Sequence, residues 1–120
     1  MASADIFIGF EEKPKGLEEF LSEKRYVKAE IKQNGGVVYE KGDADWPTLF
    51  YYDSLREEKE DEIPNWKSAG FNVTSELFID YTLSSKCIDR AEGLSREIVR
   101  RFNGIVYDPK LDEYLRRSDV

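Results

Sequence analysis

The sequence predicts an α+β fold, a ferredoxin-like sandwich in which a mixed β-sheet carries two main helices on one face and a short C-terminal helix. Three observations predict it. Strand-like and helix-like segments alternate along the chain, several strands alternate apolar and polar residues, and two segments have the order of β-α-β units. The alternation favours helices on one face only, because a sheet covered on both faces needs continuous apolar strands.

The first β-α-β unit occupies the N-terminal quarter of the chain. Residues 5–10 form an apolar run typical of a strand buried on both faces, and Gly9 indicates the close approach of a packed helix. Residues 15–25 carry apolar side chains at helical spacing, with acids early and bases late, which complements the helix dipole. Strict alternation over residues 27–32 indicates a strand with one face in water.

A β-hairpin is predicted next, because residues 34–36 read Asn-Gly-Gly and tolerate positive φ between two strand-like segments. Residues 49–52 are a further strand candidate. Residues 56–62 contain five acids and cannot be buried, so we predict an acidic loop at about 54–66. Two halves of roughly 60 residues would each be marginally stable, so residues 1–120 are predicted to form a single domain.

The second half of the chain has the clearest pattern. Residues 77–83 alternate as in a strand, and a serine at position 84 or 85 can cap the helix that follows. That helix gathers its apolar residues in one arc and ends at the Asn-Gly pair 103–104. Residues 105–107 then suit a short strand, and Pro109 suits the first position of the terminal helix.

The charge of the chain limits its partners. It contains 18 basic and 25 acidic residues, a net charge of −7 that repels phosphate backbones and anionic lipid surfaces. We therefore expect neither nucleic acid nor a membrane as a partner. The single cysteine allows no internal disulfide, and the N-terminus lacks the pattern of a signal peptide, so the expected location is cytoplasmic.

Histidine is absent from the sequence, which removes the commonest general base and the most frequent zinc ligand. The lone Cys87 falls on the apolar face of the predicted second helix, where a free cysteine usually packs in the core. The sequence therefore predicts a protein without enzymatic activity and without a cofactor.

One pair of carboxylates has a spacing that could hold a divalent cation. Asp43 and Asp45 lie in the loop after a strand, and two carboxylates at that spacing occur in phosphoryl-transfer sites. Gly42 followed by two aspartates is also ordinary turn chemistry. No metal site is predicted, and a carboxylate or metal-dependent enzyme is kept as the third hypothesis.

Aromatic side chains cluster around the acidic loop, and such side chains anchor interfaces, line pockets or fill cores. With the negative charge and the missing catalytic groups, they favour a module that binds another protein, with a basic protein the best match to the charge. The expected contact residues are Trp46, Tyr51, Tyr52, Trp66, Glu57, Glu58 and Glu60.

The second hypothesis is a small-molecule binding domain. Its pocket would lie between the sheet and the loops and would be lined by Tyr39, Trp46, Tyr52 and Trp66. Self-association is also left open, because the edge strands of a mixed sheet can pair with those of another copy.

The C-terminal third carries a resemblance. After a strand, the helix ends in Phe-Asn-Gly at 102–104, and Ile-Val-Tyr-Asp-Pro follows at 105–109. With this order of segments, residues 76–115 resemble the C-terminal part of many small, uncharacterised prokaryotic α+β proteins. Some of these proteins are grouped with toxin-neutralising immunity proteins. The resemblance implies a small prokaryotic protein of ferredoxin-like character and carries over no catalytic residue.

Overall fold

The computed structural model describes residues 3–42, 45–55 and 63–120. These residues form one sheet of seven strands with two α-helices packed on it. The strands are β1 (Ser3–Phe10), β2 (Val27–Ile31), β3 (Val37–Glu40), β4 (Thr48–Tyr52), β5 (Ser75–Thr82), β6 (Ile105–Asp108) and β7 (Glu113–Leu115), the helices are α1 (Leu17–Glu23) and α2 (Ser85–Phe102), and a short 3-10 helix spans Arg117–Asp119.

The strand order is β2-β3-β4-β5-β1-β6-β7, and every neighbouring pair is antiparallel. The predicted mixed sheet is therefore wrong. Helix α2 connects β5 to β6, but β1 inserts between these two strands and pairs antiparallel with both. The predicted ferredoxin-like sandwich is wrong as well, because the structure is a strand-dominated sheet of seven strands with the helices packed against it.

The predicted short C-terminal helix is also wrong. Asp108 accepts a hydrogen bond from the backbone N–H of Lys110 at 2.9 Å, as an N-cap aspartate could, but the chain then turns back. Asp112 adopts a positive φ of 50°, which ends any helical course, and its carboxylate accepts from the Tyr107 hydroxyl at 2.7 Å. The segment after this turn becomes β7, and the 3-10 helix follows it.

Local signals determine the ends of both α-helices. Helix α1 is shorter than predicted, because Gly16 and Arg25 at its two ends take the left-handed conformation with φ of 85° and 69°. In α2 the Ser84 hydroxyl accepts from the backbone N–H of Cys87 at 3.2 Å, which confirms the predicted cap. Asn103 ends α2 with φ 54°, also as predicted.

Two apolar clusters hold the sheet, one on each face. On the first face the helices cover a core with side chains from both helices and the sheet, namely Ile8, Phe10, Leu17, Phe20, Leu21, Tyr26, Tyr39, Leu49, Leu77, Ile79, Ala91, Leu94, Ile98, Val99 and Val106. The opposite face, called here the outer face, carries the second cluster of Trp66, Val73, Ile105 and Tyr107.

The outer face near β1 is therefore covered by residues 63–74, which contain no helix or strand. Gly9 lies under this segment, and an added Cβ would come within 2.8 Å of Val73 and 3.0 Å of Trp66. The predicted close approach is real, but the neighbour is this irregular segment and not a helix. Neither helix of the described chain has the length and apolar character needed for a bilayer crossing.

Candidate interaction surface

Trp66, one of the expected contact residues, lies in the second core. It is 0% exposed, its indole N–H donates to the Glu76 carboxylate at 2.6 Å, and its ring packs edge-on against Tyr114 at 5.5 Å. A partner docking on the surface of this conformation would not touch it.

Tyr51 and Tyr52 are neighbours in β4 and therefore point to opposite faces of the sheet. The Tyr51 side chain packs against the helix-side core, and its hydroxyl donates to Asp53 at 3.0 Å. Burial, followed by this interaction, raises the pKa of Tyr51 to about 12. Tyr52 lies on the outer face, 5.5 Å from the Phe78 ring, and its own ring sits directly over Gly36.

Trp46 is half-buried in the loop between β3 and β4. Lys41 Nζ lies 3.6 Å and Arg90 Cζ lies 3.9 Å from the centre of its ring, so two cation–π interactions hold the Trp46 ring in place. Tyr39 faces the helix-side core. Tyr39, Trp46, Tyr52 and Trp66 thus lie in four different surroundings, and the structure does not bring them together around one pocket.

The acidic residues named from the sequence are mostly not described. Asp43, Glu57, Glu58 and Glu60 lie outside the described residues. Asp45 is exposed, and its backbone carbonyl accepts from Arg90 at 2.9 Å. Within residues 3–42, 45–55 and 63–120, no three acidic, histidine or cysteine side chains converge as a metal site would require.

A row of phenylalanines crosses the outer face beside the second cluster, and one of them, Phe7, packs against that cluster. Phe50 in β4 pairs with Phe78 in β5, and Phe78 pairs with Phe7 in β1. All three side chains are half-buried, and the Phe7 and Phe78 rings meet edge-on with centroids 4.9 Å apart. We call Phe7, Phe50 and Phe78 the aromatic row.

Two carboxylates lie directly beside the aromatic row. Asp5 of β1 is paired with Asp80 of β5, two residues along each strand from Phe7 and Phe78 and therefore on the same face. Burial raises the pKa of Asp5, and the charge of Asp80 and a hydrogen bond to it raise it further. Like charges directly opposite each other on neighbouring strands repel, so the acidic pair lowers the stability of the folded sheet.

A surface cleft of about 350 Å³ lies between Trp46 and Asp80 of the acidic pair. Its lining combines acidic, hydroxyl-bearing and basic residues with two aromatic ones, namely Ser3, Glu40, Lys41, Gly42, Trp46, Thr48, Asp80, Tyr81 and Thr82. Two further clefts, of about 370 and 560 Å³, lie beside α1 on the helix side of the sheet and do not belong to the outer face. The outer face therefore presents apolar, acidic and concave features side by side.

Sequence reasoning did not find the aromatic row or the acidic pair. Each residue occupies an ordinary strand position, and nothing local marks it as part of a surface. Their alternation along β1 and β5 was the available signal, but only the pairing of β1 with β5 aligns Phe7 with Phe78 and Asp5 with Asp80.

Comparison with known proteins gave no match to any family model, any curated protein or any solved structure. The function is therefore inferred from the geometry of the chain itself.

Proposed function

We propose that the protein is a non-enzymatic binding module that docks a basic segment of another protein on its outer face. The observation that carries the proposal is the position of the acidic pair directly beside the aromatic row on one face of the sheet. Aromatic side chains supply apolar contact area, and the neighbouring carboxylates select for positive charge.

The spacing of the two features defines the sequence of a matching partner. Along one face of a strand, successive side chains are two residues and roughly 7 Å apart. A partner in extended conformation that follows β1 or β5 would place an apolar residue on the aromatic row and a lysine or arginine two residues away on Asp5 or Asp80. An alternating apolar and basic segment is therefore the best match.

The overall charge supports the same partner class. A net charge of −7 raises the rate at which a basic protein encounters the surface, and the effect weakens with added salt. The proposal includes a cytoplasmic location, for which the single, buried and unbridged Cys87 is the supporting feature.

The resemblance of residues 76–115 to proteins grouped with immunity proteins gives this proposal a specific form. An immunity protein acts by binding a toxin and blocking it, which requires an interaction surface and no catalytic group. Under this proposal the partner is a basic prokaryotic protein toxin, and the outer face is the surface that meets it.

A defined peptide tests the surface directly, because the proposal specifies the sequence pattern that should bind. We expect a peptide of alternating leucine and lysine to shift backbone amide signals of β1, β4 and β5, whereas a leucine and glutamate peptide leaves them unchanged. Phe50→Ser and Asp80→Asn should each weaken binding about fivefold or more, as truncation of a central contact does.

The controls are Leu111→Ser, which likewise replaces a large apolar side chain by serine, and Asp89→Asn, which makes the same change as Asp80→Asn. Both positions are exposed and lie outside the aromatic row and the acidic pair. Both should bind like the parent protein. If the glutamate peptide binds as tightly as the lysine peptide, or if Phe50→Ser and Asp80→Asn keep the affinity of the parent protein, the outer face is not the docking surface.

A further inference from the structure

Strand β2 is the only described strand in which every residue is exposed. It ends the strand order of the sheet, so one of its edges has no neighbouring strand within the described part of the chain. Val27 and Ile31 are 65% and 68% exposed, the two highest values among the large apolar side chains that the structure describes. An open edge of this kind is a template for pairing with a further strand.

A β-bulge divides β2 into two parts. The register of β2 against β3 shifts between Lys28 and Glu30, which leaves Ala29 as an extra residue. A bulge disturbs the pairing of any strand laid alongside it and is one of the means by which proteins protect a sheet edge. The regular part of the edge therefore begins at Glu30 and continues through Ile31 to Lys32.

Backbone hydrogen bonds show which groups point to the open edge. The Lys32 N–H donates to the Gly36 carbonyl at 2.7 Å, and Ile31 is paired with Val37. In an antiparallel ladder, a bond from the residue after one partner to the residue before the other marks a non-hydrogen-bonded pair. Ile31 and Val37 form a pair of this type, so the N–H and C=O groups of Ile31 point away from β3.

Two opposite charges flank Ile31 on the outer face. Glu30 is paired with Val38, which is paired in turn with Phe50 of the aromatic row. Lys32 Nζ lies 5.0 Å from the centre of the Phe50 ring, so it is on the same face. Because side chains alternate along a strand, the Ile31 side chain lies on the opposite face.

We infer that β2 pairs antiparallel with β2 of a second copy of the chain, about a two-fold axis at Ile31. Ile31 then lies opposite Ile31 of the second copy, and their outward N–H and C=O groups exchange two hydrogen bonds. Glu30 of each copy lies opposite Lys32 of the other, in a non-hydrogen-bonded pair where side chains approach most closely. One symmetric register thus produces two ion pairs and a central apolar contact.

Other symmetric registers of the same two strands are less favourable. A two-fold axis at Glu30 or Lys32 would set like charges directly opposite each other, and the backbone groups of these residues point inward to β3. An axis at Ala29 would pass through the bulge of both copies. The charge pattern and the hydrogen-bond pattern therefore select the same register.

The dimer joins the two sheets edge to edge and places both outer faces on the same side of one continuous sheet. The inference does not rest on the proposed function, because it concerns the edge of the sheet and a second copy of the chain. Two copies that each carry a charge of −7 repel, so the association depends on the contacts along β2.

Sedimentation velocity of the full chain at increasing concentration measures the association. We expect a reversible dimer with a Kd between about 1 μM and 1 mM. Glu30→Lys and Lys32→Glu each set like charges opposite each other at both positions, so each should weaken the dimer about tenfold or more. Net charge alone would predict opposite effects of these two variants, because one lowers the negative charge of the chain and the other raises it.

Two combinations of the same substitutions should restore the dimer. The double variant Glu30→Lys/Lys32→Glu again has opposite charges at both positions and should dimerise with an affinity within about threefold of the parent value. An equal mixture of the two single variants should form a mixed dimer, because every lysine of one variant then lies opposite a glutamate of the other. Far-UV circular dichroism checks that each variant is folded.

The matched control is Glu113→Lys, which makes the same charge change in β7 at the other end of the sheet and should not weaken the dimer. Ile31→Lys should abolish the dimer, because it sets two ammonium groups opposite each other at the axis. Leu111→Lys makes the same change at a side chain of similar exposure outside β2 and should leave the dimer intact.

A parent protein that stays monomeric at about 1 mM overturns the inference and leaves the open edge of β2 to a strand of a different protein. It is also overturned if Glu113→Lys weakens the dimer as much as Glu30→Lys does. Failure of both the double variant and the mixture to associate, with all variants folded, would equally exclude this register.

Discussion

The indole N–H of Trp66 donates to a carboxylate oxygen of Glu76 at 2.6 Å, and both side chains are excluded from solvent. Glu76 belongs to β5, whereas Trp66 belongs to the irregular segment that covers the outer face. A buried carboxylate must be hydrogen-bonded to be tolerated. The bond therefore fastens residues 63–74 to the sheet, where the Tyr114 hydroxyl adds a second polar contact by accepting from the Asn65 N–H at 3.0 Å.

Removing the donor of this bond should destabilise the protein. We expect Trp66→Phe to lower the free energy of unfolding by about 1–3 kcal/mol, because it removes the hydrogen bond that the buried Glu76 carboxyl group accepts. Trp46→Phe makes the same change at a half-buried tryptophan and should lower it by less than about 1 kcal/mol. Urea unfolding measures both, and an equal or larger loss for Trp46→Phe would contradict the role given to the Trp66–Glu76 bond.

Gly9 and Gly93 should respond oppositely to the same substitution. An alanine Cβ at Gly9 would meet Val73 at 2.8 Å and Trp66 at 3.0 Å, so Gly9→Ala should lower the free energy of unfolding by about 1–3 kcal/mol through overpacking. Gly93 lies inside α2 with open space around the Cβ position, so Gly93→Ala should raise it by about 0.5–1 kcal/mol. Thermal unfolding compares the two variants, and a stabilising Gly9→Ala would show that the segment over β1 is loosely packed.

The parts of the fold that were predicted correctly are those set by local chemistry. Ser84 and Asn103 at the two ends of α2, and the turn residues of the β2–β3 hairpin, act within a few positions of themselves. Strand neighbours are decided by long-range pairing. The insertion of β1 between β5 and β6 leaves no local mark, and the expectation of a mixed sheet failed for that reason.

The candidate surface was only partly predictable for a related reason. Aromatic residues serve cores and interfaces equally well, so sequence alone could not separate the buried Trp66 from the half-buried Trp46 and Tyr52. The acidic pair depends on the register that sets Asp5 opposite Asp80, which is a property of two strands more than sixty residues apart. The alternation of each strand is visible in the sequence, but which residues lie opposite each other depends on how the strands pair.

The cap of α2 provides a direct test of a local prediction. Ser84 accepts the Cys87 N–H at 3.2 Å, whereas the neighbouring Ser85 is already the first residue of the helix. Ser84→Ala should therefore lower the free energy of unfolding by about 0.5–2 kcal/mol, while Ser85→Ala should change it by less than about 0.5 kcal/mol. Chemical denaturation of both variants measures the difference. A greater loss of stability for Ser85→Ala would show that Ser84 is not the capping residue.

The acidic pair should make stability depend on pH in a defined direction. The pKa of Asp5 is raised above its ordinary value of 3.8 by burial and by Asp80, so the folded state binds the proton more tightly than the unfolded state does. The stability contributed by this group is therefore greatest at low pH and falls as the pH rises from the unfolded pKa through the folded one. At neutral pH Asp5 therefore opposes folding, because its charged carboxylate is partly buried beside Asp80.

Asp5→Asn should consequently stabilise the protein at pH 7 by a few tenths of a kcal/mol, a small value because Asp5 is only partly buried and water screens the repulsion. The gain should disappear near pH 3, where the aspartate is protonated. Asp80→Asn should behave similarly, and the double variant should gain no more than the better single one, because either substitution alone removes the repulsion. Urea unfolding at the two pH values measures these changes. If the stabilisation persists at pH 3, or if the double variant gains the sum of the two single gains, the two carboxylates do not repel each other in the folded protein.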